Sequence, residues 1–173
     1  MKIVTMAGVL VISIILSACQ SYNAAMSPDA RTIVDDFDGS KVIRQDPVSA
    51  ASSLSESWHT LGFEWVSKWP DKVFLTVGVH GIENVFNVQF NVGGEIIKGE
   101  EASYGTDYGD WSSNRFIVSY FDFEKIATAP TVKMKVSTGN SYGVSSFGGT
   151  SMAVVNSKFQ PFLNKINQLR RGY

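Results

Sequence analysis

The segment from Lys72 to Val92 reads KVFLTVGVHGIENVFNVQFNV and contains two runs of alternating side chains. In the first run, every second residue from position 73 to position 79 is apolar. In the second, apolar residues alternate with asparagine and glutamine from position 86 to position 92. Successive side chains of a β-strand point to opposite faces of a sheet, so both runs predict strands. The second run predicts a strand with one face in water, and residues 81–84 are predicted as the turn between the two strands.

The same alternation recurs on both sides of this segment and predicts a mostly β protein. Asp38-Gly39 and Gly93-Gly94 suit tight turns between strands, because glycine adopts positive φ without strain. The further predicted strands cover residues 32–34, 41–43, 61–65, 95–98, 115–121, 132–136 and 142–147. We therefore expect an antiparallel β-sandwich or a strongly curved sheet of about eight strands, at the margin of the α+β class.

One amphipathic helix is predicted near the C-terminus, at about residues 157–171. Ser157 and Gln160 have the spacing of a capping box, and Pro161 would fall in the first turn, where its missing N–H is tolerated. Asp122 is predicted to cap a single helical turn over residues 123–127. Apolar residues recur at steps of three and four, as on one helix face: Phe159, Phe162, Leu163, Ile166 and Leu169.

The chain begins with a basic residue and an apolar run, which together are typical of an export signal. Lys2 precedes this run, and the run closes at Leu16-Ser17-Ala18-Cys19. That ending resembles the lipobox of bacterial lipoproteins. The resemblance implies cleavage between Ala18 and Cys19, with diacylglycerol on the Cys19 sulfur and an acyl chain on its amine. An ordinary export signal and a membrane span are the alternatives, although residues 3–18 fall short of the ~20 residues that a spanning helix needs.

The predicted organisation is a signal peptide at residues 1–18, a flexible tether at 19–30 and a single β-rich domain at 31–173. The tether prediction follows from the small and polar residues after Cys19. In lipoproteins of the enterobacterial type, Asp after the cysteine is associated with retention in the inner membrane. Gln20 therefore implies the periplasmic face of the outer membrane, if the source is Gram-negative.

Charge and cysteine content exclude several classes of function. Loss of Lys2 with the signal leaves 14 basic and 16 acidic residues. A chain with this charge is poorly suited to binding nucleic acid, because phosphate contacts need clustered Lys and Arg. Cys19 is the only cysteine, so its lipidation would leave no thiol for a disulfide, for thiol catalysis or for a zinc site. We expect no cofactor and no metal. The expected partners are the membrane, through the lipid, and an unidentified envelope protein.

The segment from Glu100 to Asn114 interrupts the strand pattern and is the best candidate for a contact surface. It supplies three aromatic rings, from Tyr104, Tyr108 and Trp111, with the carboxylates of Asp107 and Asp110 among them. Aromatic faces beside acids grip a protein partner or stack on sugar rings. A packed surface loop is the structural alternative, and a hydrolase in which Asp107 and Asp110 act as an acid/base pair is a distant third.

The remaining polar motifs favour structural roles. His59 and His80 are the only histidines, and a zinc site would need both to converge with Glu64 or Glu83. Three carboxylates lie between Asp35 and Gly39. They would suit a calcium site, but a turn with solvated charges is the preferred interpretation. The chain is therefore predicted to be non-enzymatic.

Overall fold

The computed structural model describes residues 27–102, 105–139 and 141–170, and these form ten β-strands and two α-helices. The mostly β prediction is confirmed, with a C-terminal helix. The predicted signal peptide, Cys19 and all of the predicted tether except residues 27–30 lie outside the described residues. The elements are β1 Arg31–Val34, β2 Lys41–Ser49, β3 His59–Val66, β4 Lys72–His80, β5 Val85–Val92, β6 Glu95–Lys98, β7 Glu100–Glu101, β8 Trp111–Ser119, α1 Tyr120–Thr128, β9 Val132–Thr138, β10 Tyr142–Phe147 and α2 Asn156–Arg170.

The strands form two antiparallel sheets in a sandwich-like arrangement. The large sheet has the order β1-β2-β3-β4-β8-β7, and the small sheet has the order β10-β9-β5-β6. The two runs that predicted β4 and β5 thus belong to different sheets, and the turn at residues 81–84 carries the chain from one sheet to the other. Among the described residues, no helix is both long and apolar enough to cross a membrane.

A cluster of phenylalanines joins the large sheet to both helices. The ring of Phe63 on β3 lies 5.2 Å from Phe123 on α1, measured between ring centroids. It also lies 5.2 Å from Phe159 and 4.7 Å from Phe162, both on α2. All four rings are buried. The predicted apolar face of the C-terminal helix is thus packed against the inner face of the large sheet.

The predicted alternation of β5 is wrong at its first residue. The register between β5 and β9 shifts between Val85 and Asn87, as in a β-bulge. A single extra residue reverses which face the preceding side chains occupy. Val85 is consequently buried, and Phe86, which was predicted on the apolar face, is 49 % exposed.

The predicted helix starts also need correction. Ser119, not Asp122, caps α1: its hydroxyl accepts from the Asp122 N–H at 3.0 Å, and the helix runs for nine residues. In α2, the Ser157 hydroxyl donates to a backbone carbonyl, so the capping box does not form. α2 begins at Asn156, which places Pro161 inside the helix rather than in its first turn.

Candidate functional site

The segment at residues 105–111 is fixed to the turn that links the two sheets. The Gly81 N–H donates to the Asp110 carbonyl at 2.9 Å. The Val85 N–H donates to the Thr106 hydroxyl, also at 2.9 Å. These bonds hold the segment at both of its ends, so its side chains are presented from a defined backbone.

Trp111 was predicted to lie in the loop, but this prediction is wrong, because Trp111 is the first residue of β8. The prediction began this strand at Arg115 and ended it at Phe121, whereas β8 ends at Ser119. Trp111 pairs with His80 of β4, and their rings meet edge to face with centroids 5.5 Å apart. The indole is still 40 % exposed, so a ring of defined orientation faces solvent.

The other described candidate residues lie on the same exposed segment. The backbones of Asp107 and Ser113 form two hydrogen bonds, at 2.7 and 2.8 Å. Asp107 is exposed. Tyr108 is 57 % exposed, and Asp110 is exposed as well. The structure thus places four of the five predicted residues at one end of the large sheet. The fifth, Tyr104, lies outside the described residues.

Three further side chains at this end were not predicted as part of the site. Ile82, in the turn that holds the segment, is 82 % exposed. Trp58 directly precedes β3 and is exposed, and His80 closes the neighbouring strand β4. Because His59 pairs with Val79, Trp58 (just before β3) and His80 (the last residue of β4) lie at the same end of two adjacent strands. We refer to Trp58, His80, Ile82, Tyr108 and Trp111 as the aromatic end.

The two histidines lie on opposite faces of the large sheet. His59 is buried toward the small sheet, where its Nδ1 lies 3.1 Å from the Ser145 hydroxyl of β10. His80 is exposed on the outer face. They cannot share a metal ion, and the part of the chain that the structure describes contains no group of three or more residues suited to holding one.

His59 is a structural residue that joins the two sheets. Its burial lowers its pKa to about 4, and the nearby charge of Glu56 opposes that shift. The Glu56 carboxylate accepts from the backbone N–H groups of Ser52 and Ser146, at 2.8 and 3.1 Å. These bonds attach the loop before β3 to the edge of β10. The cluster thus closes one edge of the small sheet.

The acidic stretch around Asp38 forms the turn between β1 and β2. Asp35 accepts from the Phe37 N–H at 2.8 Å, and Asp38 accepts from the Ser40 N–H at 2.7 Å. The Asp38 carboxylate also pairs with Lys68, and this hydrogen bond is the main cause that lowers its pKa to about 2. Both carboxylates therefore stabilise the turn, in agreement with the preferred interpretation of this stretch.

A groove lies at the other end of the large sheet. It has a volume of about 480 Å³ and runs between the β1–β2 turn, the β3–β4 turn and the end of α2. The Trp65 ring and Pro70 form its apolar part, and Lys68 and Arg170 contribute cations. None of the four described residues of the predicted contact surface lines it.

No protein-family model matches this chain, and no curated protein or solved structure matches it either.

Proposed function

We propose that this protein is a lipid-anchored lipoprotein of the bacterial cell envelope that binds a protein partner and carries out no chemistry. The anchor is proposed from the Leu16-Ser17-Ala18-Cys19 sequence, and Gln20 supports the periplasmic face of the outer membrane. Two or more acyl chains would hold the domain stably at a bilayer. In this proposal the folded domain contributes recognition, through the aromatic end.

The observation that carries the binding proposal is a rigid display of large side chains in solvent. Trp111 and Tyr108 are about half exposed, although Trp111 pairs with β4 and hydrogen bonds hold the backbone of Asp107 and Asp110 on either side of Tyr108. Exposed aromatic residues on a fixed frame lose little conformational entropy on binding, and tryptophan and tyrosine are enriched in the residues that dominate binding energy. Ile82 adds an aliphatic surface beside them, which favours a protein partner, since sugars bind ring faces.

Glycan binding is the second candidate function. Asp107 and Asp110 are exposed beside Tyr108 and Trp111, so carboxylates that accept hydrogen bonds from hydroxyl groups flank rings on which a sugar can stack. Tyr104 would belong to the same set in this alternative.

A pair of tryptophan variants tests the binding surface. Trp69 is 52 % exposed at the opposite end of the large sheet, so Trp69→Ala is a matched control for Trp111→Ala. Cross-linking in intact cells should give a defined protein adduct that Trp111→Ala loses and Trp69→Ala retains. Melting temperatures of both variants are measured alongside.

The outcomes separate the alternatives. Loss of binding to an immobilised cell-wall glycan in Trp111→Ala, with no protein adduct in the wild type, favours the glycan alternative. A large loss of thermal stability in Trp111→Ala with unchanged adducts contradicts a contact role and assigns the ring to packing.

The anchor is tested separately by metabolic labelling with a radioactive fatty acid. The wild type should carry the label and sediment with membranes, and Cys19→Ser should lose the label and become soluble. Unlabelled wild-type protein would refute the anchor.

A further inference from the structure

The residues just before β1 are held by a buried lysine. Lys158 on α2 is only 2 % exposed. Its ammonium group donates to the Ser27 carbonyl at 2.6 Å and to the Asp29 carboxylate at 2.9 Å. An ammonium group is costly to bury unless hydrogen bonds and an opposite charge replace water. Residues 27–29 supply both, so they belong to the folded domain.

A second buried side chain holds the same segment. The Gln45 amide donates to the Pro28 carbonyl at 3.2 Å, and Gln45 is also 2 % exposed. Ala30 is buried as well. We refer to Lys158 and Gln45 as the N-terminal clamp. It acts on part of the sequence that was predicted to be flexible tether.

The clamp fixes where the chain enters the fold. Ala30 leads directly into β1, which is one edge of the large sheet, whereas β7 is the other edge and β8, which begins with Trp111, lies next to it. Five strand spacings separate the two edges, about 24 Å at 4.8 Å each. The aromatic end therefore includes residues far across the sheet from the clamp.

We propose that the N-terminal clamp orients the domain on a lipid bilayer, with the β1 edge toward the membrane and the β7–β8 edge away from it. This inference rests on the proposed lipidation of Cys19. From Cys19 to Ser27 there are eight residue steps, which span at most about 28 Å. Turning the β7–β8 edge to the bilayer would raise the clamp by about the width of the sheet. The intervening residues would then be almost fully extended, at a cost in conformational entropy.

Release of the clamp should weaken this orientation. Without it, residues 27–30 add four steps to the connection, which raises its maximum span by about 14 Å. That increase is enough for either edge to approach the membrane without an extended chain. The clamp is thus a positioning device that presents Trp111 and Tyr108 away from the bilayer.

Fluorescence energy transfer in reconstituted vesicles tests the orientation. The full-length lipidated protein is placed in vesicles of phosphatidylethanolamine and phosphatidylglycerol that carry an acceptor dye on the headgroups. Because the only native cysteine would be lipidated, Thr32→Cys on β1 or Glu100→Cys on β7 provides a single thiol for the donor. Both positions are exposed.

The expected result is more efficient transfer from position 32 than from position 100. Lys158→Met should reduce that difference, and Lys165→Met on the same helix should leave it unchanged. Asp29→Asn removes the opposite charge of Lys158 but keeps an amide oxygen that can accept from its ammonium group, so it weakens the clamp and should act in the same direction. Near-ultraviolet circular dichroism confirms that each variant is folded.

The outcomes distinguish this inference from the proposed function. Protein that does not remain on the vesicles refutes the anchor. Retained protein with equal or reversed transfer from the two positions refutes the orientation. Retained, folded Lys158→Met and Asp29→Asn proteins that both keep the full wild-type difference refute the role of the clamp. An unfolded Lys158→Met protein leaves that decision to Asp29→Asn.

Discussion

Replacing His59 by glutamine should remove a loss of stability that the wild-type domain shows at mildly acid pH. Burial between the two sheets lowers the pKa of His59 from 6.5 to about 4. Between these pH values the unfolded chain binds a proton that the folded protein excludes. Acidification through this window therefore favours the unfolded state, and the stability that neutral His59 contributes is retained above pH 6.5.

The magnitude follows from the size of the shift. Each pKa unit is worth about 1.4 kcal/mol, so the wild type should lose about 2–3 kcal/mol from this residue between pH 7.5 and pH 4.5. Below pH 4 the loss levels off, because both states then carry the proton. His59→Gln should cost about 1 kcal/mol or more at pH 7.5, since the bond to Ser145 is altered.

Urea unfolding at half-unit steps from pH 4.5 to pH 7.5 measures both effects. The carboxylates, including Glu56, titrate in both proteins, so the difference between the wild-type and His59→Gln curves isolates the histidine. The advantage of the wild type should fall by about 2–3 kcal/mol from pH 7.5 to pH 4.5, and it should change sign if His59→Gln costs only about 1 kcal/mol at pH 7.5. Two curves with the same slope throughout the range would refute the assignment of His59 as a neutral buried link.

Substitutions at three further positions test the packing of the core, the cap of α1 and the close approach at Gly99. Phe63→Ala should lower the free energy of unfolding by about 3–5 kcal/mol, because its ring contacts three other phenylalanines, and Phe63→Leu should cost clearly less. Ser119→Ala should cost about 1 kcal/mol through loss of the α1 cap, and Ser119→Asp should restore most of it. Gly99→Ala should cost about 1–3 kcal/mol, because the new methyl group would lie 2.6 Å from a Val88 methyl, whereas Gly109→Ala meets no atom closer than 3.7 Å and should be nearly neutral. Urea unfolding measures all of them, and a Gly99→Ala protein as stable as Gly109→Ala would contradict the packing around β6 and β7.

The strands were predictable because the alternation of side chains is a local property. Val73 to Val77 and Val132 to Val136 alternate in the sequence and alternate in burial. The assignment of strands to sheets was not predictable in this way. β4 and β5 follow each other in the chain but pair in different sheets, and only long-range contacts decide that.

The errors occur where a single residue changes the local geometry. The bulge near Phe86 reverses a face without altering the composition of the strand. Ser119 and Asp122 are both good caps, and they bond to each other, so the sequence alone could not decide which of them begins α1. Trp111 joins β8 because the turn at Gly81 holds the preceding residue.

Only part of the candidate site could be predicted from the sequence. The aromatic and acidic residues of the segment at 105–111 stand out in the sequence, whereas Trp58 and Ile82 reach the same end of the sheet from distant positions. One feature of the sequence does indicate the role of Lys158. It lies four residues before Phe162, in line with the apolar face of α2, where a lysine needs a partner when buried.

The most direct test of the proposed anchor is the intact mass of the protein extracted from native membranes. We expect a chain that begins at Cys19 and carries the added mass of one diacylglycerol and one amide-linked acyl chain. A mass that includes residues 1–18, or a chain with a free thiol at Cys19, would contradict the proposed anchor.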